Sequence, residues 1–231
     1  MRLSEELAAE SPANDDLRHL LAGTLLNLGA YQANQGRADE ARESMLRADE
    51  LSRELVRRAP ETVEFRGLRG KLFVNLGNLF AEEDAPEEAL ARFDEAIALL
   101  EPATAAYPGR VEWRAGLQEA RLGRAERLVQ TGRYAEAVQA VAEGSWELAD
   151  PDGLEGLEVL AAALGAVRDD AALSAEDRSA VSEAYVEEAI RHASDALDSG
   201  LEDPSLLRDG RRFGELIEEP AFLSFLELVE G

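Results

Sequence analysis

The 231-residue sequence contains no cysteine, which excludes disulfides, cysteine-ligated zinc and thiol catalysis. Histidine occurs twice, at His19 and His192, far apart and with no other ligand at metal-binding spacing. Neither is expected to hold a metal; each is expected at the surface or near a helix end. Lysine occurs once, as Lys71, and every other basic side chain is arginine. The longest apolar run is the nine residues from Val159 to Val167, between Glu158 and Arg168, and the opening MRLSEEL has no apolar h-region. No membrane association is expected, and the expected location is the cytoplasm. Eight prolines with few β-branched residues argue against a sheet. Phosphate loops, nucleophile elbows, zinc-protease helices and the kinase motifs Gly-rich loop, His-Arg-Asp and Asp-Phe-Gly are all missing.

Positive charge is scarce as well. The net charge is −24, and it is uneven: residues 1–150 carry 28 acidic and 18 basic side chains, residues 151–231 carry 20 and 6. Nothing in this balance would release counterions from a nucleic-acid backbone or favour an anionic membrane. A basic partner would be steered toward it. Adjacent carboxylates such as Glu82-Glu83, Glu187-Glu188 and Glu218-Glu219 splay by about 100° on a helix and do not make acid/base pairs. Asp150-x-Asp152-Gly153-x-Glu155 lacks the third oxygen ligand, the correctly placed glycine and the closing glutamate of a calcium loop. No cofactor and no metal is expected.

What remains is helical periodicity. From Phe65 onward Leu68, Leu72, Phe73, Leu76, Leu79 and Phe80 recur at steps that put them on one helix face, and after a break at Glu82–Pro86 so do Leu90, Phe93, Ile97 and Leu100. Asp84 reads as the cap of the second helix, with Pro86 in its first turn. One such hairpin cannot bury both faces, so stacking on copies of itself is expected. A shift of 48 residues superposes the chain on itself: Pro12, Pro60 and Pro108; Leu17, Phe65 and Trp113; Glu40, Glu88 and Glu136; Ala41, Ala89 and Ala137; Met45, Phe93 and Val141. Asn27-Leu28-Gly29 matches Asn75-Leu76-Gly77, whereas the third copy has diverged to Gly123-Arg124-Ala125.

The spacing Leu76-Gly77-x-x-Phe80, then Ala89-x-x-x-Phe93-x-x-Ala96, resembles the tetratricopeptide repeat, and Leu28-Gly29 with Ala41-x-x-x-Met45-x-x-Ala48 gives it again. The period exceeds the usual 34 residues by about 14, which implies helices of about 20 residues. Gly77 and Ala89 read as small residues that let helix backbones approach. The resemblance implies an all-α, right-handed solenoid of antiparallel helix hairpins with a 48-residue period. Three repeats are expected over residues 1–150 (about 1–50, 51–98 and 99–150), a degenerate fourth hairpin over 151–200, and an acidic C-terminal helical cap over 201–231. In the fourth hairpin Asp150-Pro151-Asp152 reads as a cap, as does Ser174 with Asp177. Residues 3–10 align with the ends of second helices, so residues 1–10 serve either as a cap or as the close of a repeat begun upstream. The second is the expectation, making the chain the tail of a longer protein. The segment from Tyr185 to Leu226, with Asp203-Pro204, Leu207-Arg208 and Pro220-x-Phe222, resembles the close of repeat regions that follow Ser/Thr kinase domains in bacterial, notably planctomycete, proteins.

In tetratricopeptide proteins the first helices of successive hairpins line a concave groove that binds peptides, and the resemblance implies the same here. Lys71, Asn75, Asn78 and Glu82 form one polar face of the central first helix. The 48-residue shift adds Asn27 and Asn34 before it, and Glu119, Glu126 and Gln130 after it. Asparagine offers a peptide backbone both a donor and an acceptor. A C-terminal carboxylate is not expected as ligand: Asn75 fits the family's clamp, but Leu26, Glu119 and Gly123 stand where basic residues would be needed. The expected function is therefore a protein-interaction scaffold, part of a bacterial signalling protein, that binds a neutral or basic peptide or protein, and not an enzyme. The alternative is a structural, self-associating module that forms a homodimer, for which Trp113 and Trp146 are the aromatics to locate. A remote third is a hydrolase using Glu82, Glu119 and Glu126.

Overall fold

The computed structural model describes residues 14–142, 154–201 and 203–230. Among them there is no strand. Among the described residues ten α-helices follow one another: α1 (Asp15–Asn34), α2 (Ala38–Arg58), α3 (Val63–Glu82), α4 (Pro86–Ala106), α5 (Val111–Gln130), α6 (Tyr134–Ala142), α7 (Glu155–Asp169), α8 (Ala175–Asp198), α9 (Gly210–Phe213) and α10 (Pro220–Glu230), with 3-10 turns at Pro204–Arg208 and Leu216–Glu218. The chain divides into two compact units, residues up to Ala120 and residues from Arg121 on.

Local chemistry sets the helix ends. Asn14 caps α1, its side chain accepting from the N–H groups of Asp16 and Leu17, and Asp15 and Asp16 favour the positive end of the helix dipole. α1 stops at Gly36, whose φ of 71° is left-handed; Gly36 N–H donates to Ala33 O at 2.8 Å and Arg37 N–H to Gln32 O at 2.9 Å. This is the Schellman closure, which uses carbonyls that the helix end would otherwise leave unpaired. It recurs at Gly132 and Gly200, and at Asp84 with φ 55°. The expectation that Asp84 caps α4 is thereby corrected. Asp84 is the left-handed residue that ends α3, its N–H and that of Ala85 donating back to Ala81 O and Phe80 O, and Ala85 stands at the N-cap of α4.

In the first unit α1 packs on α2, α3 on α4, and α3 also lies against α1 and α2. The core joins Leu21, Leu25, Met45, Leu72, Phe73, Leu76, Phe93 and Leu100. Glycines receive the large side chains. A Cβ added at Gly29 would stand 2.7 Å from Met45, at Gly77 2.6 Å from the Phe93 ring, and at Gly67 2.4 Å from Trp113. Gly77 thus makes room for a ring as much as for a neighbouring backbone. Trp113 is buried; Trp146 lies outside the described residues. Asp49 is a buried carboxylate held by Arg53 and by Arg69 Nε at 3.3 Å, and Arg69 in turn stacks over Phe73. Asp49 is the buried member of this group, Arg53 being 62% and Arg69 20% exposed, so loss of both arginines would strand its charge in the interior.

In the second unit α6 and α7 pack on α8, and the segment from Pro204 to Glu230 folds back over α7 and α8. Phe213, Leu216, Phe222 and Leu226 are buried. Arg168 on α7 gathers three carboxylates of this segment, Glu215, Glu218 at 3.7 Å and Glu219 at 2.6 Å, while Arg212 reaches back to Glu158. Ser174 caps α8, its hydroxyl accepting from Asp177 N–H at 3.1 Å. The proposed cap at Asp150-Pro151-Asp152 lies outside the described residues. Tyr185 is wholly buried and donates to Tyr134 O at 2.9 Å; Tyr134 donates to Asp170 Oδ2 at 3.1 Å. Burial, then the neighbouring Tyr134, pushes the Tyr185 phenol above its ordinary range. His192, expected at the surface or near a helix end, is instead buried within α8 over Gly156, where a Cβ would come within 2.7 Å of its ring.

Candidate binding face

The polar residues of α3 lie along the edge where this helix meets the first half of α5. Lys71, Asn75 and Asn78 are half-buried there, and Glu82, the last residue of α3, is exposed. Asn78 Nδ2 donates to Glu119 Oε1 at 2.7 Å. Seven residues earlier on both helices Lys71 stands opposite Glu112, and its stem passes Gly116, where an added Cβ would be 3.8 Å from Lys71 Cγ. Two helical turns separate these two pairs, so both sit on one seam. The Glu112 carboxyl is held below its usual range, chiefly by the bond from its own backbone N–H, then by Arg110, with the Lys71 charge adding to both.

The seam is a row of alternating capability. The Asn78 amide keeps its carbonyl oxygen and one N–H, Glu119 is exposed, and Asn75 sits between the two pairs. Glu82, Glu112 and Glu119 bring three carboxylates to this edge, against the ammonium of Lys71 and the Arg110 guanidinium that pairs with Glu112 at 3.2 Å. Asn27 and Asn34 are exposed on α1. Leu26 is buried in the core. Glu126 and Gln130 belong to the second unit, where both are exposed and Glu126 accepts from Arg127 at 3.3 Å. Of the nine site residues named from the sequence, the structure directly joins Asn78 with Glu119. It adds Glu112, which the sequence reasoning passed over.

Glu82, Glu119 and Glu126 are all solvent-exposed. Among the described residues no group of three or more histidine, cysteine or acidic side chains is placed to hold a metal ion, and no helix is long and apolar enough to cross a membrane. No family model matches the sequence, and no curated protein matches it.

Proposed function

We propose that the chain is a protein-interaction module built as a right-handed, tetratricopeptide-like solenoid, and that it binds an extended neutral or basic peptide along the seam of α3 and α5. Three features support the solenoid reading. First helices begin at residues 15, 63 and 111 and second helices at 38, 86 and 134, steps of 48 throughout. The left-handed closures at Gly36, Asp84 and Gly132 keep the same step. So do the paired contacts of Gly29 with Met45 and Gly77 with Phe93. The binding reading rests on the Asn78–Glu119 pair, a donor-acceptor edge with net negative charge at the margin of two helices. A place in a bacterial signalling protein is supported by the resemblance of the segment from Tyr185 to Leu226.

The test is selection from a random-peptide display library against the purified chain, followed by titration of the selected peptides. Selected peptides should carry lysine or arginine and few carboxylates. Their affinity should fall at least tenfold on Asn75→Ala with Asn78→Ala, fall again on Glu119→Gln, and weaken with added salt. Selection of acidic peptides, or binding that ignores these substitutions, would move the site elsewhere.

A further inference from the structure

Leu17, Leu20, Thr24, Leu28 and Tyr31 fall at steps of three, four, four and three along α1 and share one face. Leu20 is 53% exposed and Tyr31 58%, and the other three are half-buried. Forty-eight residues later the same positions of α3 hold Phe65, Leu68, Leu72, Leu76 and Leu79. There Phe65 is 8% exposed and Leu72, Leu76 and Leu79 at most 4%, because α1 and α2 lie against them. His19 packs on Phe65 with ring centroids 5.3 Å apart, and Gly23 faces Leu68. A face that is covered on α3 is thus, among the described residues, open on α1.

Charge stops on the same stretch. The 17 residues from Leu20 to Gly36 contain no charged side chain, in a chain where 31% of residues are charged. Their counterparts 48 residues on include Arg69, Lys71, Glu82, Glu83 and Asp84. A solvated helix has no need of such a gap, whereas the centre of a protein interface is depleted in charge and enriched in tyrosine. The hydroxyl of Thr24 donates to Leu20 O at 2.8 Å, so it is satisfied inside the helix and leaves the methyl group for packing.

We propose that two copies of the chain associate through this face, α1 against α1 in antiparallel fashion about a two-fold axis at Thr24. The stripe is its own complement: Leu17 meets Tyr31 of the other copy, Leu20 meets Leu28, and Thr24 meets Thr24. A chain of net charge −24 repels its copy over most of its surface, and this uncharged face is where the repulsion is least. Parallel pairing would set Asp15 and Asp16 against the same residues of the other copy, and antiparallel pairing separates them. A contact centred on one helix pair belongs with small interfaces, so the dimer dissociates on dilution. The proposal is independent of the seam between α3 and α5.

Size-exclusion chromatography with light scattering, across a dilution series of the purified chain, should give twice the 25.1 kDa of the monomer at high concentration. Leu20→Glu with Tyr31→Glu should return the mass to the monomer value with the helical circular dichroism unchanged. Leu46→Glu, at a leucine of α2 that is 52% exposed, should leave the dimer intact. Because the sequence has no cysteine, Thr24→Cys places a single thiol at the axis; mild copper-catalysed oxidation should yield a covalent dimer, and Leu46→Cys should not. A monomer at every concentration, a dimer that survives the double glutamate substitution, or equal crosslinking at positions 24 and 46 would overturn the proposal.

Discussion

At Gly77 the backbone of α3 lies so close to Phe93 that an added Cβ would stand 2.6, 2.7 and 2.9 Å from three atoms of the ring, against 3.4 Å for an ordinary contact. The ring would have to retreat by most of an ångström, yet Phe93 is 1% exposed and embedded in the core of the first unit. Gly77→Ala gains about 1 kcal/mol of helix propensity and meets an overpacking penalty of about 1–3 kcal/mol, for a net loss near 1 kcal/mol. Gly77→Leu should lose about 3 kcal/mol. The positions 48 residues on carry the opposite choice: they are Ala125 and Val141, both fully buried, a larger residue on one helix and a smaller one on the other. Phe93→Val alone should cost about 2–3 kcal/mol through the cavity it leaves. Combined with Gly77→Ala, the methyl group occupies part of that space, and the double variant should be about 1–2 kcal/mol more stable than the sum of the singles. Urea unfolding read by Trp113 fluorescence in a Trp146→Phe background reports on the first unit, where Trp113 packs on Gly67. Additivity within about 0.5 kcal/mol would show that these residues do not compete for the same space. Gly77→Leu within about 0.5 kcal/mol of the parent would refute the contact altogether.

Two further outcomes follow from local structure. Asp84→Gly relieves a left-handed backbone and should raise stability by about 0.5–1 kcal/mol after the entropy of the added glycine; a loss, seen as a lower urea midpoint, would mean that its side chain matters more than its φ. His19 is held below its ordinary value of 6.5, by burial first, against the opposing charges of Glu64 and Asp16. The unfolded chain therefore takes up a proton that the folded chain resists: stability from this site is full above pH 6.5 and declines as pH falls from there toward the depressed value. Urea midpoints at pH 8 and pH 5.5 should converge for the parent and His19→Gln at the lower pH relative to the higher, and a constant difference would refute the assignment.

Much of this is legible in the sequence. Helix faces follow from spacing, and Gly36 and Gly132 announce their stops because glycine alone adopts a left-handed φ without strain. Asp84 misled because aspartate serves equally as an N-cap and as a tolerable left-handed residue; its equivalence to Gly36 under the 48-residue shift was the clue that separated the two. His192 was obscured because its environment is Gly156, on another helix, and a lone glycine does not advertise what it accommodates. The polar face of α3 was visible as periodicity, but its pairing with Glu119 was not, because periodicity orders residues within a helix and says nothing of which helix edge they meet. The matching seven-residue steps, Lys71 to Asn78 and Glu112 to Glu119, were the signal that would have brought Glu112 in.

The two units also differ in how far along the chain their contacts reach. In the first, each helix closes on its neighbour across a turn of a few residues, so a hairpin can form as soon as its second helix has been made. In the second, Tyr134 is held by Tyr185, and α7 waits for Phe213, Leu216 and the glutamates that gather on Arg168. During synthesis α8 can cover α7 first, but the part of α7 that meets Phe213, Leu216 and the glutamates stays open until some fifty more residues have left the ribosome, an interval in which the unfinished chain is exposed to proteases and to misassembly.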